Sequence, residues 1–208
     1  MAREITKLAL KTVAITLLSI VGVALIIFLM LSFTAPAAMA RLTRDLTMYK
    51  TSAWYSSLQY ADGRGDIENI ELAMNCCALA GDDEGVVKYG VKFIEDSRFE
   101  TYCAQREEAE KDLGYKETYT QYVYGTVSVA YYGAGEGEKG IDLAIAANSS
   151  SFSEYNAVTD LVNEVILAGD KTFASAILTR LTTLKESGGI ADMQFLDKTM
   201  QNLTAFTS

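Results

Sequence analysis

An uncharged run of 22 residues, 12–33, constrains this chain more than any other feature of its sequence. At about 1.5 Å of rise per residue, a helix of that length spans roughly 33 Å, which is enough to cross the hydrocarbon core of a bilayer. The apolar stretch of a cleaved signal peptide is shorter, about 7 to 15 residues. We therefore expect a short basic segment over 1–11, then a transmembrane helix or uncleaved signal anchor over 12–35, and a folded domain after it.

A string of small residues just after this run leaves a second outcome open. Ala38 and Ala40 flank Met39 in the small-x-small spacing that a signal peptidase accepts, and Pro36 lies upstream as a helix breaker. The same residues are also typical of a membrane helix that ends where a new helix begins with proline. Retention of the span gives a membrane-anchored protein, whereas cleavage after Ala40 gives a secreted one.

The positive-inside rule does not separate the two orientations of this span. Three basic residues lie on each side of it, Arg3, Lys7 and Lys11 before it and Arg41, Arg44 and Lys50 after it. The N-terminal segment carries no domain, whereas the long acidic part of the chain is the natural translocated cargo. We expect the N-terminus in the cytoplasm, residues 12–35 in the lipid bilayer and the C-terminal domain outside the cytoplasm.

The composition after the span predicts an all-α domain and argues against nucleic acid as a partner. The whole chain has one proline and no histidine. Scarce proline with abundant Ala, Leu, Glu and Lys favours helices over the turn-rich pattern of sheets. From residue 41 onward there are 15 basic and 26 acidic side chains. A domain that acidic repels a phosphate backbone.

The segment that follows the span is predicted to be one amphipathic juxtamembrane helix over 36–62, with apolar residues at three- and four-residue steps. Its aromatic residues Trp54, Tyr55 and Tyr60 either lie at the membrane surface or pack on the next helix. The glycines of "ADGRGD" end this helix. The tripeptide Arg-Gly-Asp within it is known from integrin adhesion, but Asp66 also suits the N-cap of a following helix.

Three later segments share one pattern, a helix, a tight turn and a second helix opened by acidic or small polar residues. The turn glycines are Gly81, Gly135 and Gly169. The last two are 34 residues apart, and the first two are 54 apart, which is the same period with an insertion of 20. This pattern resembles the tetratricopeptide repeat (TPR) over about 67–188. An unrelated helical bundle is the alternative.

The resemblance implies a TPR-like α-solenoid over 63–188, interrupted by an inserted helix at about 101–120. After Gly188 and Gly189, apolar residues recur at helical spacing to the end of the chain. We expect residues 189–208 to form a capping helix, because a repeat array needs its last apolar surface covered.

The resemblance also implies that the first helix of each pair lines a concave surface that holds a protein or peptide partner. The residues it places there are Glu68, Glu71 and Asn75 in the first repeat, Tyr122, Val129 and Tyr132 in the second, and Asn156, Asn163 and Ile166 in the third. Aromatic, amide and acidic groups together suit an extended peptide. The alternative is that the repeats build a spacer.

No catalytic, cofactor or metal constellation is found in the sequence. Serine nucleophiles have no histidine base, and "GAGEGEKG" lacks the strand and the Ser or Thr of a phosphate loop. Cys76 and Cys77 are adjacent, so they point about 100° apart on a helix and cannot share a metal. Cys103 either bridges one of them or all three are small buried side chains.

These observations together predict a protein that is not an enzyme and that needs no cofactor. We expect a membrane-anchored helical-repeat scaffold, an interaction subunit of a cell-envelope or membrane complex. The alternative is a secreted helical binding protein released after Ala40.

Overall fold

The computed structural model describes residues 2–60, 63–114, 117–147, 155–188 and 193–208. Every regular element within these ranges is helical, so the predicted all-α class is confirmed. The α-helices are α1 Ala2–Thr34, α2 Pro36–Asp45, α3 Tyr49–Tyr60, α4 Ile67–Leu79, α5 Asp83–Ile94, α6 Phe99–Glu110, α7 Tyr119–Gly133, α8 Gly137–Ala147, α9 Ala157–Leu167, α10 Lys171–Glu186 and α11 Met193–Thr207. A 3₁₀ turn, Lys111–Leu113, follows α6.

Helix α1 contains the predicted apolar segment. Leu10–Thr34 is long and apolar enough to cross a membrane, and none of it is buried inside the protein. The hydroxyls of Thr16, Ser32 and Thr34 each donate to the backbone carbonyl four residues earlier, at 2.8 to 2.9 Å. These polar groups are therefore satisfied within the helix itself, which a hydrocarbon environment requires.

The juxtamembrane segment forms two helices, α2 and α3, and the prediction of one continuous helix is wrong. Thr47 has a φ of 58°, in the left-handed region. Its N–H donates to the carbonyl of Arg44 at 2.8 Å. The N–H of Met48 donates to the carbonyl of Thr43, also at 2.8 Å. This is the Schellman pattern of helix termination, usually made by glycine, and a threonine at that position concealed it in the sequence.

Arg98 holds the loop before α4 in place through a hydrogen bond and an ion pair. Arg98 donates to the carbonyl of Gly65 at 2.9 Å and pairs with Asp96 at 2.6 Å. Tyr60 donates its hydroxyl to the same Asp96 at 2.7 Å. Asp66 occupies the predicted N-cap position of α4, although its side chain makes no cap hydrogen bond. The glycine turn that ends α3 is therefore tied to the loop that precedes α6.

The predicted tight turns are confirmed and join the helices into hairpins α4–α5, α7–α8 and α9–α10. Their glycines, Gly81, Gly135 and Gly169, have φ of 61°, 80° and 72°. Asp82 and Asp170 accept hydrogen bonds from the backbone N–H three residues on, at 3.3 and 2.9 Å. These acids therefore cap the second helix of their hairpins, as the sequence predicts.

Two hydrophobic cores meet at α7. The first joins α3 to α7 and includes Met74, Phe93, Cys103, Val123 and Val127. The second joins α8 to α11 and includes Ile141, Leu161, Val165, Ile177, Leu181, Leu196 and Leu203. Tyr124 on α7 packs against both cores. Helix α7 is thus held from two sides, and side chains near its start have a rigid base.

Helix α6 is the predicted insertion, and it begins and ends earlier than expected. Phe99, Tyr102 and Cys103 bury one side of it in the first core. The other side is charged and faces outward. Gly114 ends the segment with a φ of 71°, and the hydroxyl of Thr118 caps α7 by accepting from the N–H of Gln121. The insertion thereby places a charged helix beside the start of α7.

The three cysteines are buried free thiols. The sequence left open a disulfide from Cys103 or three small buried side chains, and the structure has the buried side chains without a disulfide. Burial raises the pKa of the Cys77 and Cys103 thiols to about 11, so both stay protonated and unreactive near neutral pH.

Candidate binding cleft

A cleft of about 620 Å³ lies where α4, the end of α6 and the start of α7 meet. We call it the tyrosine cleft. Its lining consists of Glu71, Asn75, Arg106, Glu107, Glu110, Lys111, Glu117, Thr118, Tyr119, Tyr122 and Tyr155. A volume of this order is typical of sites that hold small ligands or the side chains of a partner.

Glu71 fixes the floor of the cleft. It is only 7% exposed, and it accepts hydrogen bonds from the hydroxyls of Tyr102 and Tyr119. Burial, together with the bond to Glu71, raises the pKa of both tyrosines, so each remains a donor at physiological pH. Hydrogen bonds to an ionised acceptor are stronger than neutral ones. These contacts hold α4, α6 and α7 together beneath the cleft.

Arg106 forms one wall and is held on two sides. Its guanidinium lies 2.9 Å from the carboxylate of Glu110, 3.9 Å from that of Glu71 and 5.3 Å from the centre of the Tyr119 ring. Its Nε atom is buried and has no hydrogen-bond partner in the described residues. The side chain is thus oriented by neighbours that leave one N–H donor uncommitted.

Two further buried atoms of the cleft lining, Asn75 Oδ1 and Glu117 Oε1, also lack a partner within the described part of the chain. Buried polar atoms in proteins are nearly always hydrogen-bonded, because an unmet donor or acceptor costs about 1 to 3 kcal/mol. With Arg106 Nε, the lining therefore offers one donor and two acceptors. A ligand with both kinds of group would satisfy them.

Glu117, on the lining of the cleft, forms a carboxyl pair with Asp160 of α9. Burial and, after it, the neighbouring Asp160 carboxylate together raise the pKa of Glu117 to about 7. Burial also raises the pKa of Asp160. One proton is therefore shared between them near neutral pH. A Cβ atom on Gly125 would collide with the Asp160 carboxylate, so only glycine gives it room.

The rim of the cleft is aromatic and acidic. Tyr122 and Tyr155 are each 41% exposed. The rings of Tyr119 and Tyr122 lie 5.8 Å apart. Glu107 accepts from the backbone N–H of Thr120 at 3.2 Å, which fixes its carboxylate at the start of α7. Tyrosine rings offer flat apolar area at low entropic cost, and the carboxylates favour a ligand with positive charge.

Three of the nine residues predicted for the concave surface, Glu71, Asn75 and Tyr122, lie together in the tyrosine cleft. Glu68 and Asn163 are exposed elsewhere, and Val129 and Ile166 are half-buried. Whether these residues contact a partner stays a prediction.

The other two predicted residues have structural contacts. Asn156 is fully buried, and its side chain accepts from the N–H of Thr159 at 3.0 Å, so it caps α9. Tyr132 stacks on Phe173 with ring centres 5.0 Å apart and donates to Asp170 at 3.3 Å. It lies in a second cleft at the far end of α7.

Sequence reasoning missed Arg106, Glu117, Tyr119 and Tyr155 because they lie outside the repeat pattern. Arg106 lies on α6, Tyr119 is the first residue of α7, and Glu117 and Tyr155 lie in the segments that precede α7 and α9. The one indication in the sequence is the density of tyrosines from residue 115 to residue 124.

No protein-family model, curated protein or solved structure matches this chain. In the described residues there is also no cluster of Cys, Asp or Glu that could hold a metal ion.

Proposed function

We propose that this protein is a membrane-anchored binding module that holds a peptide segment of a partner protein in the tyrosine cleft. The observation that carries the proposal is the set of three buried polar atoms without partners, Asn75 Oδ1, Arg106 Nε and Glu117 Oε1. They line one fixed cleft with an aromatic rim.

A peptide fits this set because each of its backbone amides carries one donor and one acceptor. The N–H of Arg106 is suited to a peptide carbonyl, and the oxygen of Asn75 is suited to a peptide N–H. The tyrosine rim would contact the side chains, and carboxylates such as Glu107 and Glu110 would favour lysine or arginine among them. The partner segment is therefore extended and basic.

The order of the hairpins supports a helical-repeat architecture of the TPR-like kind. Helices α4 and α7 are the first members of the first and second pairs, and both contribute to the cleft. The resemblance assigns partner binding to these first helices. In this proposal α6 lies beside α4 and α7 and closes one side of the concave surface, which becomes the tyrosine cleft.

Retention of the anchor is favoured by the surroundings of Ala40. It lies inside α2 and is only 2% exposed, and its carbonyl accepts the hydroxyl of Ser52 at 2.7 Å. Cleavage after Ala40 would remove α1 and the first half of α2, including the buried Met39. We propose that residues 12–35 stay in the bilayer, with the N-terminus in the cytoplasm and the domain outside it as a subunit of an envelope complex.

A mass measurement on the purified chain separates the anchored protein from the secreted alternative. The anchored form keeps all 208 residues and resists extraction from membranes by salt. A mature chain that begins at Arg41, or release by salt alone, would contradict the anchor.

Site-specific photo-crosslinking in native membranes tests the cleft. A photoreactive residue at Tyr122, on the rim, should give a defined adduct with one partner protein. The same residue at Leu167, which is 82% exposed at the end of α9, should give none. Both positions are open to solvent, so exposure alone does not explain a difference.

A matched pair of amide substitutions completes this test. Asn75→Leu removes the buried acceptor and should abolish the adduct at Tyr122, whereas Asn163→Leu changes an exposed amide on α9 and should preserve it. Equal loss in both variants would assign binding to the wider concave surface. An adduct that survives Asn75→Leu would contradict the cleft.

A further inference from the structure

Outside α1, half of the large apolar side chains that are exposed in the described residues lie on α2, α3 and the turn between them. Leu42, Leu46, Met48, Trp54 and Leu58 are between 44% and 59% exposed. Leu42 lies on α2, and Leu46, four residues on, is the C-cap that follows it. Trp54 and Leu58 are one turn apart on α3, so each pair forms a stripe. We call these five residues the juxtamembrane face. Apolar residues grouped in this way mark a surface that meets a partner or a membrane.

A hydrogen bond ties this face to the end of the apolar helix. The hydroxyl of Tyr55 lies 2.7 Å from that of Ser32, two residues before the apolar segment ends at Thr34. The ring of Trp54 contacts that of Tyr55 edge to face, with centres 4.8 Å apart. Trp54 is therefore one ring away from the end of α1. If α1 spans a bilayer, this level is the membrane–water interface, where tryptophan is enriched.

The charges of α2 and α3 also suit a membrane surface. Arg41, Arg44 and Lys50 are exposed on these helices, against the single acid Asp45. Lys50 lies 3.3 Å from the carboxylate of Asp82, before α5, and Arg44 makes a longer, exposed contact of 3.6 Å with Asp45. The rest of the domain is strongly acidic, so the basic side chains are grouped beside the end of α1. Basic residues next to a membrane helix are attracted to anionic lipid headgroups.

We propose that the juxtamembrane face lies in the headgroup region of the bilayer and docks the domain on the membrane surface. The apolar stripes enter the interface, and Arg41 and Arg44 contact anionic headgroups. This inference rests on the membrane anchor of the proposed function, and it is independent of what the tyrosine cleft binds. It names the lipid surface as the partner of α2 and α3.

Trp54 is the only tryptophan of the chain, so its fluorescence reports this face alone. The full chain is reconstituted in vesicles of phosphatidylcholine and phosphatidylglycerol whose acyl chains are brominated either near the headgroup or near their ends. We expect strong quenching by the shallow bromines, weaker quenching by the deep ones and little quenching by aqueous acrylamide. Replacing phosphatidylglycerol with phosphatidylcholine should reduce the shallow quenching.

Variants test whether the quenching of Trp54 depends on the juxtamembrane face. The double change Leu42→Gln and Leu46→Gln should shift Trp54 emission to longer wavelength and reduce its quenching by shallow bromines. The control pair Leu79→Gln and Leu167→Gln alters two leucines elsewhere that are more exposed than Leu42 and Leu46, and it should leave the emission and the quenching of Trp54 unchanged. Circular dichroism of each variant verifies that the helices remain intact.

Flotation of the vesicles in alkaline carbonate shows whether α1 is inserted in the membrane. It does not depend on whether the juxtamembrane face is docked on the surface. A chain that floats but whose Trp54 is quenched by acrylamide and not by bromine would overturn the docking and leave the anchor standing. A chain that does not float would overturn both. The same spectra in the double variant and its control would overturn the role of the α2 stripe.

Discussion

The two ends of α7 both carry tyrosines in clefts, but within the described ranges only one of these clefts is lined by buried polar atoms without partners. At the start of the helix, the tyrosine cleft of about 620 Å³ contains buried polar atoms without partners. At the other end, a cleft of about 720 Å³ is larger, but Tyr132 stacks on Phe173 and its hydroxyl is bonded to Asp170. Volume and aromatic content are similar at the two ends. What differs is whether polar atoms are left for a ligand.

Removal of the buried carboxylate of Glu71 is expected to give the largest difference in unfolding free energy between the two ends of α7. Glu71→Ala leaves the hydroxyls of Tyr102 and Tyr119 without their acceptor and removes one of the two carboxylates beside Arg106, so we expect a loss of about 3 to 5 kcal/mol in unfolding free energy. Asp170→Ala, at the other end, removes a helix cap and should cost about 1 kcal/mol. Denaturation of the full chain in detergent micelles measures both. Equal losses of unfolding free energy in Glu71→Ala and Asp170→Ala would contradict a difference between the two ends of α7.

A matched pair of tyrosines gives the next largest effect. Tyr119→Phe removes a hydrogen bond to a buried carboxylate and should cost about 2 kcal/mol in unfolding free energy. Tyr132→Phe keeps the stacking on Phe173 and removes only the bond of 3.3 Å to Asp170, so its expected cost is below about 0.5 kcal/mol. Denaturant titration distinguishes these values. Similar costs for both would show that the Glu71 network does not organise the cleft.

The smallest expected effect is the pH dependence that Glu117 gives to the unfolding free energy. Its pKa in the folded protein is raised to about 7, so between the ordinary value of 4.5 and 7 the folded state binds more protons than the unfolded state. Stability from this group is complete below pH 4.5 and is lost as the pH rises through 7. Glu117→Gln should therefore raise the unfolding free energy at pH 8 by about 1 kcal/mol, after allowing for solvent screening at this half-buried site.

A control for this pH effect lies at the other end of α7. Glu136→Gln makes the same chemical change at an exposed carboxylate beside the second cleft, and its slope of stability against pH is the reference for that of Glu117→Gln. The measurement is a series of denaturant titrations from pH 5 to pH 8, within the range where Glu117 titrates. A slope that persists in Glu117→Gln would show that another group titrates.

The helical class, the apolar helix and the hairpin turns could be predicted because local residue types determine them. Gly81, Gly135 and Gly169 adopt positive φ, and the acids after them cap helices. The break at Thr47 could not be predicted, since a threonine occupies a left-handed position that glycine usually fills. Tertiary packing of α2 on α3 decided that conformation.

The candidate site was only partly accessible from the sequence. The TPR resemblance pointed to Glu71, Asn75 and Tyr122, which lie on the first helices of two hairpins. It could not indicate Arg106 or Glu117, because an insertion has no place in a repeat pattern. These residues reach the cleft through the packing of α6 and of the segment before α7, which depends on contacts between residues distant in sequence.

The binding of selected peptides tests the central claim most directly. Peptides are selected from a random phage-displayed library on the full chain in nanodiscs, and their affinities are then measured for Asn75→Leu and Tyr132→Phe. We predict selected peptides that are basic, an affinity reduced about tenfold by Asn75→Leu because one buried hydrogen bond is lost, and no change with Tyr132→Phe. Peptides whose binding is insensitive to Asn75→Leu, or is weakened by Tyr132→Phe, would contradict a binding site in the tyrosine cleft.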